Sequence, residues 1–228
     1  TDTLELRHDD PETTRVCVEA LQRESARLQE LIDRLLDWGR MESGRRVYAM
    51  REESVEDIVD ESLVTFEPTR TGRMEVKKEL RGEFPHVWCD RAAMVDVFVN
   101  LLSNAYKYGS KSRVDVTIQP RDKHVAVTVR DYGVGIAEHE HKRIFDRFYR
   151  VDDLLARQQE GSGLGLAIVQ HIVKAHKGKI EVDSEPGKGS AFTVLLRTEV
   201  PREARDAKGG VVHMSSAPKA ALAPERGQ

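Results

Sequence analysis

Residues 91–129, RAAMVDVFVNLLSNAYKYGSKSRVDVTIQPRDKHVAVTV, change their hydrophobic period once, and that change decides the fold. From Arg91 to Tyr108 the apolar residues Met94, Val97, Phe98, Leu101, Leu102 and Ala105 recur at helical spacing, which predicts a strongly apolar helix. From Val114 to Ile118 and again from Val125 to Val129 they alternate with period two, as in a hairpin of half-buried antiparallel strands. A helix that must be covered thus stands beside a sheet with one face to cover it.

The pattern extends in both directions. Lys179 to Val182 and Ala191 to Leu196 read as a second strand pair, placed after a helix near Leu164 to Ala175. Upstream, Arg46 to Met50 and Met74 to Leu80 read as strands flanking a helix capped by Ser54, and Pro85 to Cys89 as a further short strand. The expected architecture is α+β, a two-layer sandwich of a mixed, mostly antiparallel sheet with helices on one face. Residues 11–41 differ, with Val18, Leu21, Ser25, Leu28, Ile32, Leu35 and Gly39 at alternating spacings of three and four, the seam of a long heptad helix. Leu31, Leu36 and Trp38 broaden that stripe toward a multi-helix bundle, and Ser43-Gly44 supplies the stop. Ala137 to Gln159 is charged and long for a plain connection, which predicts a mobile functional loop. From about Glu199 the chain is rich in Pro, Ala, Gly and charge without apolar period, and disorder is expected. Three segments result: a helical region over 1–43, a folded domain over 44–198 and a tail over 199–228.

Composition narrows the partners. Thirty-six basic residues against 39 acidic ones give a net charge of -3, so no global attraction draws the chain to nucleic acid or to a membrane surface. Cys17 and Cys89 lack metal-ligand spacing and read as reduced thiols. No apolar run approaches the ~20 residues of a membrane span, and no signal pattern opens the chain. The expected location is cytoplasmic, and a start at Thr1 reads as a piece of a longer parent, which leaves room for a membrane anchor outside these residues.

Three short patterns carry chemistry. Asp131-Tyr132-Gly133-Val134-Gly135 closes a strand, where a carboxylate can accept from an exocyclic amine such as adenine's while Gly133 and Gly135 let a flat base approach; an ordinary turn has the same composition. Gly161-Ser162-Gly163-Leu164-Gly165 leads into a helix, whose exposed N–H groups and dipole suit a phosphate chain, although one glycine run is weak by itself. Asn100 and Asn104 share a face of the apolar helix, with Lys107 and Tyr108 one turn on. A neutral Asn104 oxygen can join phosphates and water around Mg²⁺, and a buried amide network is the competing reading.

The order of the three patterns resembles the GHKL ATPase superfamily, named for gyrase, Hsp90, histidine kinases and MutL, whose Bergerat ATP-binding fold has the architecture expected above. Asn100-Leu-Leu-Ser-Asn104-Ala-Tyr-Lys107-Tyr108, Ile144-Phe-Asp-Arg-Phe-Tyr-Arg150 and Gly187-Lys-Gly-Ser-Ala-Phe192 look like the N, F and third glycine boxes of sensor histidine kinases, and Leu35 to Gly44 like the end of their second dimerisation helix. The resemblance implies ATP and Mg²⁺ as ligands, a homodimer in the intact protein, a response regulator as partner and no nucleic acid. It implies Asn104 as the Mg²⁺ ligand, Asp131 as the adenine reader and Tyr108 beside the base. Gly161, Gly163 and Gly165 would shape the lid hinge and phosphate contacts, and Arg150 would reach the γ-phosphate, with Arg147 either its neighbour or merely solvated. Asn100 stands where ATP-hydrolysing members and anti-sigma serine kinases carry a glutamate base; an amide takes no proton at neutral pH, which argues against both activities.

One family element has no counterpart. The phosphoacceptor H box, His-Glu/Asp-x-x-x-Pro, matches nothing in these residues: His8-Asp9 has its proline at Pro11, too early and too near the second helix. The expected function is the donor half of a histidine kinase, with a nucleotide-regulated binding module as the alternative.

Overall fold

The computed structural model describes residues 11–67, 74–109, 113–151, 162–198 and 212–215. Helix α1 (Pro11–Glu42) leads through Gly44, at φ 66°, into strand β1 (Val47–Glu53), and the Ser43 Oγ–H donates to Arg40 O at 3.1 Å, so the chain turns where the sequence placed its stop. Helix α2 (Val55–Phe66) is capped by Ser54, whose Oγ accepts from Asp57 N at 3.3 Å. Strands β2 (Glu75–Leu80) and β3 (Val87–Cys89) precede helix α3 (Arg91–Tyr108), the hairpin β4 (Arg113–Arg121) and β5 (His124–Asp131), helix α4 (Gly165–Ala175), the pair β6 (Lys179–Ser184) and β7 (Ser190–Arg197), and β8 (Val212–Ser215).

Five strands form the main sheet in the order β2-β4-β5-β7-β6, with β2 parallel to β4 and every other neighbour antiparallel. Register aligns the apolar set: Val116 faces Val129, Val129 faces Phe192, and Val127 faces Val194. That face, with Val114, Ile118, Val125 and Leu196, packs against the side of α3 carrying Met94, Val97, Phe98, Leu101, Leu102 and Ala105, and against Val169, Ile172 and Val173 of α4, in one core. The outer face is polar, with Thr128 and Thr193 hydroxyls 2.9 Å apart.

The structure departs from expectation in three places. Strands β1 and β3 do not join the main sheet but pair with each other, and β8 completes a second, three-stranded sheet in the order β3-β1-β8. Thus Val212–Ser215, inside the stretch expected to be disordered, adds to the free edge of β1 by antiparallel backbone pairing. Residues 137–151 of the expected mobile loop are packed through two short 3₁₀ turns, Glu138–Glu140 and Arg143–Phe145, with Ile144 and Glu140 buried. The rest of that loop, the rest of the tail and His8 lie outside the described residues. On α1 the apolar seam faces solvent, with Leu21, Leu28, Ile32, Leu35 and Leu36 all more than half exposed, and near its end Trp38 and Met41 enter the core.

His176 ties the layers together. Its Nδ1–H donates to Ile172 O at 2.7 Å, its Nε2 accepts from Asp90 N at 3.1 Å, and its ring meets Tyr48 edge-on at 4.9 Å. Asp90 in turn caps α3 through Ala93 N and accepts from Ala49 N of β1 at 2.7 Å. Burial holds the His176 pKa below the ordinary histidine range, so the imidazole is neutral. The neutral ring's contribution is complete above the unfolded pKa of about 6.5 and is lost as pH falls through the depressed folded value. Melting temperature should therefore decline between pH 7.5 and 5. His176→Gln should cost about 1–2 kcal/mol at neutral pH and flatten that decline. Scanning calorimetry across the range checks both outcomes.

Candidate functional site

One cleft gathers most of the residues singled out above. It holds about 1100 Å³ of space, counting the part open to solvent, and lies between α3, the end of β5, the 3₁₀ segment and the start of α4. That is room for a nucleotide. Asn100, Ser103, Asn104, Lys107 and Tyr108 line one wall, consistent with their spacing along a single helix face. Asp131, Gly135 and Ile136 line the cleft from the end of β5, with Tyr149 and Arg150 and, bonded to their segment through Phe148, Ser162, Gly163 and Gly165.

Asp131 is 5% exposed, and burial pushes its pKa above the ordinary carboxylate range against the pull of its hydrogen bonds. Its Oδ1 accepts from Gly133 N at 2.9 Å and from Ser190 N at 3.2 Å, and the Ser190 side chain also bears on the carboxylate. Ser190 was not singled out in the sequence, nor was Ser184, whose Oγ accepts from Ile136 N at 2.8 Å and lies 2.9 Å from Gly189 O. Ser190 lies inside the third glycine run, which could have pointed to it; Ser184 carries no local signal.

The glycines serve backbone apposition more than ligand approach. A Cβ on Gly133 would stand 1.8 Å from Tyr108 O, and one on Gly135, at φ 69°, 1.9 Å from Glu185 O. Gly133 does not line the cleft at all. Gly163, at φ 70°, lies against the Phe148 backbone, and Phe148 itself holds φ 58° while its N–H donates to Gly163 O at 3.1 Å. A bulky residue in that region stores roughly 1–3 kcal/mol of strain.

Helix α4 begins without a side-chain cap, and Gly165 and Leu166 of its first turn line the same cleft as Asp131. Leu164 is buried in the core, not in the cleft, and Gly161 lies outside the described residues. Asn100 donates through Nδ2 to Asp96 O at 2.8 Å and turns Oδ1 toward Gly165. Asn104, one turn further along the same face, lines the cleft. Arg147 is neither in the cleft nor merely solvated: it pairs with Glu42 of α1 at 2.6 Å.

A protein-family profile described as "Histidine kinase-, DNA gyrase B-, and HSP90-like ATPase" matches residues 89–200, which span α3, the whole cleft and β7. Among curated proteins, the sensor-like histidine kinase SenX3 of Mycobacterium tuberculosis is 35% identical over 192 residues, covering 82% of this chain and 46% of SenX3. The chain belongs to the sensor histidine kinases. The sensor histidine kinase WalK of Bacillus subtilis is 33% identical over 180 residues, 77% of this chain and 29% of WalK. The chain spans less than half the length of these relatives. Among solved structures, the mycobacterial sensor histidine kinase MprB superposes with a TM-score of 0.56 at 28% identity, covering 65% of this chain and 97% of that one. The histidine kinase ThkA, solved in complex with the response regulator protein TrrA, gives a TM-score of 0.68 at 25% identity, covering 85% of this chain and 54% of that one. No helix among the described residues is long and apolar enough to cross a membrane.

The apposition at Gly133 makes a prediction separable from any ligand. Gly133→Ala must push apart the end of α3 and the start of the loop after β5, at a cost of about 3 kcal/mol or more. Urea denaturation without nucleotide should show that loss; an unchanged midpoint would return the glycine to a ligand-contact role.

Proposed function

We propose that the cleft binds Mg²⁺-ATP and that the chain is the donor half of a protein-histidine kinase. The observation that carries this is the meeting, in one cleft, of a buried carboxylate and an uncapped helix N-terminus. Asp131 Oδ2 would accept from the adenine amine, which discriminates against guanine, whose corresponding group is an acceptor. Tyr108 would lie beside the base. The phosphates would run toward the N–H groups of Gly165 and Leu166 and the Ser162-Gly163 segment, with Lys107 adding positive charge.

The donor set fits Mg²⁺. The described residues hold no cluster of three acidic, histidine or cysteine ligands, so an ion here would be held by the Asn104 amide oxygen together with phosphate and water oxygens. Bound there, it would neutralise phosphate charge. Arg150 at the rim would face the γ-phosphoryl and stabilise the charge that spreads over it during transfer. The Pγ–O bond to ADP breaks and a P–N bond to histidine forms, after which the phosphoryl passes to a response-regulator aspartate. Asn100 offers no base to activate water, which favours transfer to an amino-acid acceptor over hydrolysis. The exposed seam of α1 supports its reading as the second dimerisation helix of a homodimer, where partner helices would cover it.

Two measurements test this reading. Calorimetry on Asp131→Ala should show ATP affinity reduced about ten- to hundredfold, since a base amine is left unpaired in a closed pocket. In the parent chain, ATP affinity should fall on acidification at a higher pH than an unshifted carboxylate would dictate, and GTP should bind more weakly than ATP. Wild-type affinity in Asp131→Ala would overturn the assignment. Incubated alone with ATP, these 228 residues should form no acid-labile phosphohistidine, whereas a separately supplied dimerisation domain with its own H box should be labelled slowly, tethering being lost. Label on this chain alone would place the acceptor within it.

A further inference from the structure

The side chain of Arg147 points out of the cleft and onto the helix that leads into the domain. Its guanidinium meets Glu42 Oε1 at 2.6 Å and lies 5.1 Å from the centre of the Trp38 ring. Trp38 Nε1–H donates to the other oxygen of Glu42 at 3.2 Å, and the same indole sits edge-on to His171 of α4 at 5.6 Å. Both oxygens of one carboxylate are thus engaged, and three side chains close a ring across the junction of α1 and the ATPase domain. Three residues beyond Arg147, Arg150 lines the cleft.

The backbone between the two arginines has little freedom to absorb a displacement. Phe148 is held at positive φ by its bond to Gly163 O, and the Tyr149 hydroxyl donates to the buried Glu140 while Arg143 covers its ring at 4.3 Å. Movement of Arg147 is therefore passed on to Arg150 and, through the Phe148 contact, to Gly163, both of which line the cleft.

We propose that Arg147 is a positioning residue: held by Glu42 and Trp38, it lets helix α1 set the place of Arg150, so that the orientation of the helix and the preference for a nucleoside triphosphate over a diphosphate are coupled. The proposal rests on the nucleotide reading of the cleft. The ion pair is about half exposed, so its effect is modest and weakens with salt. Coupling of this kind is reciprocal: a triphosphate must tighten the Glu42–Arg147 contact by the factor by which the contact tightens the triphosphate.

Calorimetry on the full chain with a nonhydrolysable ATP analogue and with ADP provides the test. Glu42→Gln and Arg147→Gln should each weaken the triphosphate about three- to fivefold and leave ADP unchanged. The exchange Glu42→Arg with Arg147→Glu should restore part of the loss at low salt. Trp88 makes no hydrogen bond through its buried indole nitrogen, so Trp88→Phe leaves Trp38 as the sole tryptophan reporter. In that background the analogue, but not ADP, should shift Trp38 emission, and Arg147→Gln should abolish the shift. Equal losses for both nucleotides would reduce the contact to packing and overturn the coupling, as would parent affinities in Glu42→Gln. If the unsubstituted chain bound neither nucleotide, the nucleotide reading would fall and the coupling with it.

Discussion

Three backbones meet around Asp131 with no room for a side chain between them. The loop after β5 crosses the end of α3 at Gly133 and Tyr108, while Gly189 at the head of β7 presses on Asp131 O, where a Cβ would come within 2.1 Å. Gly109 opens the same passage from the other side, since a Cβ there would stand 2.6 Å from Asp131 Cβ. This apposition carries the carboxylate to the floor of the cleft and hands it two backbone donors. The desolvation that raises its pKa is only partly offset by those donors, and a further donor from a ligand amine would offset more of it.

Much of this was legible in the sequence, for physical reasons that can be named. The period-two runs at Val114–Ile118 and Val125–Val129 became β4 and β5, because one face of that hairpin must be covered by α3, whose own apolar stripe has the matching width. The stop at Ser43-Gly44 and the cap at Ser54 are local chemistry and were read locally. Assignment of β1 and β3 to a separate sheet was not legible, because alternation tells which face of a strand is buried but not which neighbour it bonds. The four residues of β8, Val212-His213-Met214-Ser215, alternate apolar and polar too briefly to stand out from the Pro-, Ala- and Gly-rich stretch around them.

The site was legible in its inventory and less so in its logic. Asn100, Asn104, Lys107 and Tyr108 share a wall because helical spacing requires it, and Asp131 follows from its place at a strand end. The glycines were singled out for the approach of a base, whereas at Gly133 and Gly135 the steric demand comes from Tyr108 O and Glu185 O, partners that only the folded chain supplies. Ser184 and Ser190, which brace the floor, lie more than fifty positions along the chain from Asp131 in the case of Ser190, and no local pattern marks such a distant donor. Arg147 looked like a companion of Arg150; its neighbours on α1 are remote in sequence, and the direction of its side chain depends on them.

The pairing of β8 with β1 has a consequence for how the molecule comes to be assembled. Strand β1 follows directly on α1 and is made early, β3 comes soon after, and β8 is made only after every other described strand. Closing so long a stretch of chain carries a large entropic cost and yields few contacts, so this pairing is set to form late, after the main sheet has condensed. During synthesis one edge of β1 is paired early while the other waits, an open template beside the entry to the domain. Its safeguard is brevity: with only four residues in register, a stray strand gains little there.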